Sequence, residues 1–455
     1  LKELKPTVFE DIIAMVALYR PGPMDLIPDF IDRKHGRKKI EYLHPVMERA
    51  LHSTYGIIVY QEQVMAMATE LAGLTKGQGY LLIKAVGKKI KSLLDEQRDK
   101  MVEGMVKNNI PRETAEKIWE FIEPFARYGF NKSHATCYAL VGYQTAYLKT
   151  HYPTEFMAGV MNTELDDIER IAFLVDECRA MNIEVLPPHI NESLGSFTVI
   201  KDGVIRFGLN AVKNVGGNIV EAIVTERKKG GPFTSISDFI ERVQNKDLNK
   251  KSLESLTKCG AMDVLAERGQ LLFNMEALLT YAREIQKPMT SGQTSLFASV
   301  EIDGKKNGLL PPLRLQTAPP ANRKDKLSWE KELLGLYVSE HPVRDYEDLI
   351  SRMAVLPSKI LKQQIGQRVK IGGAIGSIHK IITESGKPML FVMIEDQRAK
   401  IEALIFPKIL EKTPTMWQEG KIVLISGRLD DKEGNLKLLC DDVQELNQNH
   451  LNNYR

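Results

Sequence analysis

A chain of 455 residues is too long for one hydrophobic core and has room for about three domains of ordinary size. Its 43% hydrophobic and 27% charged residues are typical of a globular protein, and no apolar run approaches the roughly 18 residues that a transmembrane helix needs. The net charge of +3 is too small to indicate nucleic acid by itself, so only local clusters of lysine carry information.

The four cysteines are scattered and form no CxxC pair, which argues against a zinc site or a disulfide framework. This usage suits a reducing cytosol, and we expect a cytoplasmic protein without a membrane partner. The chain opens on Leu1 within a helix-like stretch and without a signal peptide, so we expect the native N-terminus to lie upstream.

Helical patterns fill the chain from residue 1 to about residue 176. Pro111 stands at the first turn of one predicted helix, and another is predicted over 133–149, ending before Pro153. The two prolines within 185–191 exclude a helix interior there, so we place a boundary at that segment.

Segment 128–134 reads YGFNKSH. Its glycine permits a tight turn, and Asn131 or Ser133 can cap the helix that follows. Free N–H groups at that helix start, with Lys132 and His134 beside them, would make a natural phosphate site. The alternative is a well-capped helix whose lysine and histidine are merely solvated.

A basic run at Lys84, Lys88 and Lys89 surrounds a glycine and could grip a triphosphate or a DNA backbone. A solvated helix face is the alternative. The basic cluster at 29–39 is equally ambiguous, and the rigid turn before it fixes Arg20 in place.

Short strands are predicted within 196–209, followed by helices to about residue 284. The stretch 208–217 (GLNAVKNVGG) and the helix after it predict two short helices joined by a glycine hairpin. Such a helix-hairpin-helix holds DNA through backbone N–H groups without reading sequence. Lys213 lies nearby, and segment 248–260 has a similar layout. A plain helical hairpin is the alternative.

Residues 287–326 contain two Pro-Pro pairs and predict a partly extended linker, with a short helix after it at 327–336. Within the linker, Gln293 is expected to be an exposed polar contact, and Leu296 and Phe297 are expected to be exposed apolar side chains that could enter a pocket. That pattern suits docking of an extended peptide into a pocket on a partner.

The last part of the chain changes to strand periodicity. Strands are predicted over 369–382, 389–393, 400–406, 421–429 and 436–440, with a short helix after Pro407. Three strands, a helix and two strands is the order of the OB-fold, a small Greek-key barrel. Phe391 and Phe406 are expected in its core, which leaves few aromatics for stacking bases.

Catalytic machinery is missing from the pattern. Two-metal catalytic sites are commonly held by aspartates that project together from a sheet. The adjacent aspartates at 166–167, 430–431 and 441–442 are expected in loops or turns as solvated acids with diverging side chains. No Ser/His/Asp set and no Walker-type loop is present in the sequence.

Long segments nevertheless resemble one family. These are 9–23 (FEDIIAMVALYRPGP), 54–65 (TYGIIVYQEQVM), 128–134, 186–191 and 334–342. In order and over nearly the whole chain they resemble the bacterial DNA polymerase III alpha subunits, the C-family replicative polymerases. The resemblance implies a multidomain, mainly α chain ending in an all-β OB barrel. It assigns polymerase fingers to 1–190 and tandem helix-hairpin-helix to 191–285. It then assigns a linker with a clamp-binding motif to 286–345 and the OB domain to 346–455.

The resemblance also implies roles for named residues. Those implied to face the incoming dNTP are Lys84, Lys88, Lys89, Asn131, Lys132, Ser133 and His134. Those implied to contact duplex DNA are Lys213, Asn214, Gly216 and Gly217. Gln293, Leu296 and Phe297 would bind the sliding clamp. The sequence departs from the family at Ile83, where a cation is usual, and at 78–80, where acids are usual.

The implied activity is template-directed addition of dNTPs to a primer 3′ end, with two Mg²⁺ held by palm aspartates upstream of Leu1. The implied partners are primer-template DNA, dNTP, the sliding clamp (beta subunit) and other replisome subunits. This chain alone would then be inactive. The alternative is a non-catalytic DNA-binding or scaffold protein built from helix-hairpin-helix and OB modules. A DNA ligase with both modules would need a four-cysteine zinc site, which the cysteine spacing excludes.

Overall fold

The computed structural model describes residues 1–88, 91–126, 129–286, 313–360, 365–383, 385–397, 399–432 and 435–447. Its contacts divide the chain into two compact units, residues 1–151 and 152–455. Among the described helices, none combines the length and apolarity needed to cross a membrane.

The first unit is entirely helical. Its α-helices are α1 Phe9–Leu18, α2 Ile27–Lys34, α3 Val46–Leu51, α4 Gln61–Ala72, α5 Lys76–Lys88, α6 Lys91–Lys107, α7 Arg112–Ala126 and α8 Lys132–His151. Short 3-10 turns at Pro23–Leu26 and His52–Thr54 connect the early helices. The helices predicted after Pro111 and over 133–149 are therefore present as α7 and α8.

Two apolar clusters hold this unit together. One contains buried side chains from the five consecutive helices α3 through α7, such as Met67, Met101 and Trp119. The other joins α1 and α2 to the first turns of α8, which contributes Ala135 and Ala139. Beyond Ala139, the side chains of α8 are exposed or half-buried. Because the buried side chains of α8 are Ala135 and Ala139, close to its beginning, the geometry at its N-terminus depends on what lies beside that end.

The second unit begins with helices around a small sheet. The helices are α9 Pro153–Thr163, α10 Ile168–Ala180, α11 Gly217–Gly230, α12 Ile236–Arg242, α13 Lys250–Lys258, α14 Arg268–Phe273, α15 Met275–Gln286 and α16 Arg323–Leu334. The strands are β1 Glu184–Leu186, β2 Thr198–Lys201 and β3 Val204–Arg206. Strand β3 lies in the middle, parallel to β1 and antiparallel to β2.

One continuous core runs through this helical part, from Met157 in α9 to Leu334 in α16. Residues just before α16 also join it, since Leu313 and Leu315 pack against this core. The side chain of Asn274 exchanges two hydrogen bonds with the backbone of Gln316, at 2.8 and 2.9 Å. The chain that follows residue 312 is therefore docked on the helical part.

The C-terminal strands close into a barrel in the order β4-β5-β6-β8-β7. They are β4 Arg368–Ile382, β5 Pro388–Glu395, β6 Lys400–Ile405, β7 Ile422–Lys432 and β8 Asn435–Leu446. Helix α17 Glu347–Met353 precedes them and α18 Pro407–Lys412 follows β6, with 3-10 turns at Leu209–Ala211, Pro342–Tyr346 and Pro357–Lys359 elsewhere in this unit. The predicted order of strands and helix is confirmed, and so is the fold class: mainly α, then an OB-type barrel.

Two expectations about this region are wrong. Asp430 and Asp431 lie in β7 and the pair at 441–442 lies in β8, rather than in loops or turns. Asp430 and Asp431 pair in regular register, and adjacent residues of a strand point to opposite faces, so their side chains diverge. The pair at 441–442 lies at a register shift of β8, where this alternation does not apply. Phe406 is 41% exposed instead of buried in the barrel core, because it precedes α18 as the N-cap residue. Phe391 is half-buried and outside the barrel core, because Leu390 and Val392 on either side of it in β5 face that core.

Candidate functional site

Helices α4 and α8 begin side by side. The N–H of Phe130 donates to the carbonyl of Val59 at 3.2 Å, and the N–H of Gln61 donates to the carbonyl of Phe130 at 3.0 Å. A Cβ on Gly129 would lie 3.2 Å from both the Phe125 carbonyl oxygen and the Gln61 side chain. Glycine therefore allows the chain entering α8 to approach the start of α4 closely.

The start of α4 is itself rigidly held. The Gln63 side-chain oxygen accepts from the N–H groups of Val59 and Tyr60, at 2.8 and 2.9 Å. Its amide nitrogen donates to the Thr54 hydroxyl at 2.7 Å. All of these groups are buried, so the hydrogen bonds are shielded from water and fix the backbone on which α8 rests.

The start of α8 is already capped, and the expectation of free N–H groups there is wrong at two positions. The Lys132 N–H donates to both carboxylate oxygens of Glu62 at 3.0 Å. The Asn131 side chain donates to the same carboxylate at 3.0 Å, and its oxygen accepts from the His134 N–H at 2.9 Å. The predicted cap by Asn131 is confirmed, whereas Glu62 was not foreseen.

Cationic and aromatic side chains lie close together around this helix start. The Lys132 ammonium lies 5.5 Å from the centroid of the Tyr60 ring. The Arg20 guanidinium carbon lies 4.3 Å from the centroid of the Phe130 ring, and burial lowers the pKa of Arg20. The His134 ring packs against Phe130 at 5.4 Å between centroids. The rigid turn that fixes Arg20 thus brings this residue to the segment at 130–134.

The exposed groups define what this surface can bind. Ser133 and His134 are exposed and Lys132 is half-buried. Tyr138, one turn later, is 60% exposed, and its ring centroid lies 4.6 Å from that of His134. We call Arg20, Lys132, Ser133, His134 and Tyr138 the α8-start surface. It offers positive charge and hydroxyl donors beside flat rings, which suits a phosphate-bearing aromatic ligand.

The basic run on α5 is only partly described. Lys84 has an exposed side chain, whereas the side chain of Lys88 and all of Lys89 lie outside the described residues. Ile83 is 7% exposed and belongs to a core cluster, so an apolar residue fits where the family carries a cation. The Gln78 side-chain oxygen accepts from the Thr75 N–H at 2.8 Å and so holds the start of α5.

A second candidate surface lies at the first turn of α11. Lys213, Asn214, Gly216 and Gly217 are all exposed, as expected for the glycine hairpin. A Cβ on either glycine would meet no atom within 4 Å, and no side-chain hydrogen bond caps α11. The backbone at this helix start is therefore open to a large anionic partner such as a phosphate backbone.

A second loop lies directly beside this hairpin. The Asn218 side chain donates to the Asp247 carboxylate at 3.0 Å, and the Asn245 side chain donates to the Asn218 carbonyl at 3.4 Å. The exposed lysines of this loop and of the helix start after it are Lys246, Lys250 and Lys251. The sequence predicted a second hairpin-like segment at 248–260. It did not predict a role for Lys246, which lies in the loop before α13.

The glycine at the other end of α13 has a different role. Gly260 has a φ of +85°, and a Cβ there would lie 2.2 Å from the Arg268 guanidinium. The side chain of Arg268 is buried and paired with Asp263 and Glu330. Gly260 therefore serves packing inside the helical part, and the basic face lies at the beginning of α13.

The predicted docking peptide with Gln293, Leu296 and Phe297 lies outside the described residues. Its described flanks are α15, which ends at Gln286, and the docked segment after residue 312.

In the barrel, Phe391 is half-buried with the Lys437 ammonium 5.8 Å from its ring centroid. That ammonium also pairs with Glu402 at 2.7 Å.

Comparisons with known proteins match three parts of the chain to known families. Residues 1–109 match the family described as the bacterial DNA polymerase III alpha subunit finger domain. Residues 182–271 match a helix-hairpin-helix motif, and residues 369–446 match an OB-fold nucleic acid binding domain.

Curated relatives extend the match over nearly the whole chain. The DNA polymerase III subunit alpha of Chlamydia pneumoniae is 40% identical over 98% of this chain and 36% of its own length. That of Borreliella burgdorferi is 38% identical over 100% of this chain and 40% of its own. That of Thermus aquaticus is 38% identical over 98% of this chain and 36% of its own. The chain thus spans well under half the length of these relatives.

Solved structures add little. Asparaginyl-tRNA synthetase from Pyrococcus horikoshii matches 20% of this chain and 23% of its own, at 16% identity and a TM-score of 0.18. A likeness at this level carries no argument about fold or function.

Proposed function

The chain belongs to the family of bacterial DNA polymerase III alpha subunits, and on that premise we propose that it supplies the nucleotide contacts and the duplex grip of a template-directed DNA polymerase. The whole protein would add dNTPs to a primer 3′ end. The observation that carries the proposal is the α8-start surface, where the Lys132 ammonium and the exposed Ser133 and His134 stand on a rigid, buried backbone. The match of residues 1–109 to the finger domain supports membership of the family and ends before Lys132.

In this proposal the α8-start surface receives the triphosphate of the incoming dNTP. Lys132 neutralises phosphate charge, and the Ser133 hydroxyl donates a hydrogen bond to a phosphate oxygen. The ring of His134 lies beside that of Tyr138. Asn131 acts on the backbone rather than on the nucleotide, since its side chain is occupied by Glu62 and by the His134 N–H. Lys84, Lys88 and Lys89 on the basic run at 84–89 would add further positive charge for the phosphates.

The hairpin surface would hold the duplex. Lys213, Asn214, Gly216 and Gly217 present one helix start to a phosphate, and the adjoining loop adds three exposed lysines. Contacts of this kind position a protein on DNA without reading its sequence. The remaining expected partner is the sliding clamp, which would bind at Gln293, Leu296 and Phe297, together with other replisome subunits in the cytoplasm.

The proposal assigns metal chemistry to another part of the protein. Among the described residues, no group of three His, Cys, Asp or Glu side chains is placed to hold a metal ion. In this proposal the two Mg²⁺ ions that polymerases use would be held by palm aspartates outside this chain. The residues of this chain would bind and orient the nucleotide for that centre. The scaffold alternative is not favoured, because the chain aligns from end to end with polymerase subunits.

The test uses a full-length alpha subunit that carries these 455 residues. Lys132→Ala removes one ammonium from the triphosphate site, so we expect the dNTP KM to rise, or kcat to fall, by about tenfold while duplex affinity holds. Lys107→Ala, an exposed lysine of α6, is the matched control. Steady-state primer extension measures both, and unchanged kinetics in Lys132→Ala would remove this residue from the site.

A further inference from the structure

Glu62 has an unusual position in the first unit. It lies in the first turn of α4, yet its carboxylate accepts three hydrogen bonds from the start of α8. Two come from the Lys132 N–H and one from the Asn131 side chain, all at 3.0 Å. One carboxylate thus serves two helices that begin side by side.

Electrostatics explains why an acid is held there. The first N–H groups of an α-helix carry partial positive charge, and α4 and α8 bring two such ends together. The Tyr60–Phe130 bridge and the Gly129 approach keep these ends adjacent. A carboxylate between them satisfies an N–H group that would otherwise need water or a ligand.

We propose that Glu62 is a positioning residue of the nucleotide site. It fills the anion position at the start of α8, so the triphosphate meets the side chains of Lys132, Ser133 and His134 rather than the backbone N–H groups. This inference rests on the proposed function, since it concerns the same surface. Its physical content is that Glu62 fixes where the first turn of α8 begins and therefore where those three side chains project.

A competing arrangement makes the opposite prediction. If the triphosphate displaced Glu62 and took its N–H groups, the carboxylate would repel the ligand. A neutral glutamine would then improve nucleotide binding. If Glu62 positions the helix, glutamine keeps one acceptor oxygen for the Lys132 N–H but loses the second oxygen and the charge. Nucleotide binding would then weaken in proportion to the acceptors that are lost.

The experiment measures primer extension by a full-length alpha subunit with Glu62→Gln or Glu62→Ala. We expect the dNTP KM to rise about threefold in Glu62→Gln and about tenfold in Glu62→Ala, with kcat changed less and duplex affinity unchanged. Glu70→Gln, an exposed acid on the same helix, is the control for loss of charge. Thermal melting of each variant shows whether the fold is kept.

The outcomes separate this inference from the proposed function. A lower KM in Glu62→Gln overturns the positioning role in favour of displacement. A raised KM in Lys132→Ala together with an unchanged KM in Glu62→Ala overturns the role of Glu62 and leaves the nucleotide site standing. If neither variant changes the KM or the kcat, the nucleotide site itself is refuted, and the role of Glu62 is refuted with it. If the KM rises in Lys132→Ala, and rises about threefold in Glu62→Gln and about tenfold in Glu62→Ala, the nucleotide site and the role of Glu62 both stand.

Discussion

Gly217 shows at the scale of one residue how the hairpin surface is built. It is the first residue of α11, it is exposed, and a Cβ there would meet no atom within 4 Å. The space beyond it is therefore available to a partner rather than required for folding. An acid at this position would even suit the positive end of the helix.

Gly217→Asp should separate folding from DNA binding. We expect the melting temperature to stay the same or rise slightly, because aspartate is favourable in a first helical turn. Duplex affinity should fall by about tenfold, since the carboxylate faces the phosphates. Fluorescence anisotropy with a labelled duplex checks this, with Gly159→Asp on α9, also in open space, as the control. Equal losses in the two variants would count against the hairpin surface.

Residue-level prediction from sequence succeeded where the signal is local. The cap by Asn131 was predicted, because an asparagine that precedes a helix commonly bonds an N–H three residues on. Glu62 was not predicted, since it lies 70 positions before Lys132. Its role depends on two helix starts meeting in space, and no pattern within either segment reports that.

At the scale of elements, the barrel packs on the helical part of its own unit through a polar junction. His341 lies 3.9 Å from the Glu395 carboxylate, and its side chain is 11% exposed. Burial lowers the pKa of His341 to about 4 and raises the pKa of Glu395. Arg179, on α10, donates to the Tyr337 carbonyl, and Lys400, on β6, pairs with Asp176 at 2.9 Å. The junction thus combines an ion pair with a buried histidine whose pKa is lowered.

The lowered pKa of His341 gives the sign of its pH effect. The unfolded chain binds a proton at His341 below about pH 6.5, whereas the folded chain resists it until about pH 4. Stability from neutral His341 is therefore full above pH 6.5 and is lost as the pH falls towards 4. Glu395 has the opposite sign, so only a difference between variants isolates the histidine.

His341→Asn should flatten this dependence. Asparagine can accept from the Val343 N–H as His341 does now, at 3.3 Å, but it does not titrate. Between pH 7.5 and pH 5 the parent should lose about 2 kcal/mol more stability than the variant in urea denaturation. His379→Asn, an exposed histidine of β4, should behave like the parent. Identical pH profiles for His341→Asn and the parent would refute the assignment.

Element order was the most predictable level of this fold. The order of strands and helix in the barrel was predicted from alternating apolar residues and from Pro407 at the start of a helix. The spacing of apolar residues and the positions of prolines can be read directly from the sequence. Phe406 was misplaced since an aromatic at a strand end can face either side. The Lys246 loop was missed because its place beside the glycine hairpin depends on hydrogen bonds from Asn218 and Asn245.

At the scale of the whole molecule, the contacts divide the chain between residues 151 and 152. The functional division expected at residue 190 stays a prediction, and so do the later divisions at 285 and 345. Helices α9 and α10 share one core with the sheet and the hairpin helices. The segment from 152 to 190 therefore folds with the part that matches the helix-hairpin-helix motif, whichever function it serves. Sequence patterns could not show this, because they mark breaks in the chain and not which cores are shared.

The central claim is that nucleotide and duplex are held by separate surfaces of one polymerase subunit. The most direct test compares Lys132→Ala and Gly217→Asp in the same full-length alpha subunit. The dNTP KM and the duplex Kd are measured for both. We predict a raised KM with an unchanged Kd for Lys132→Ala, and a raised Kd with an unchanged KM at saturating DNA for Gly217→Asp. Parallel changes of both constants in both variants, or no change in either, would contradict the account.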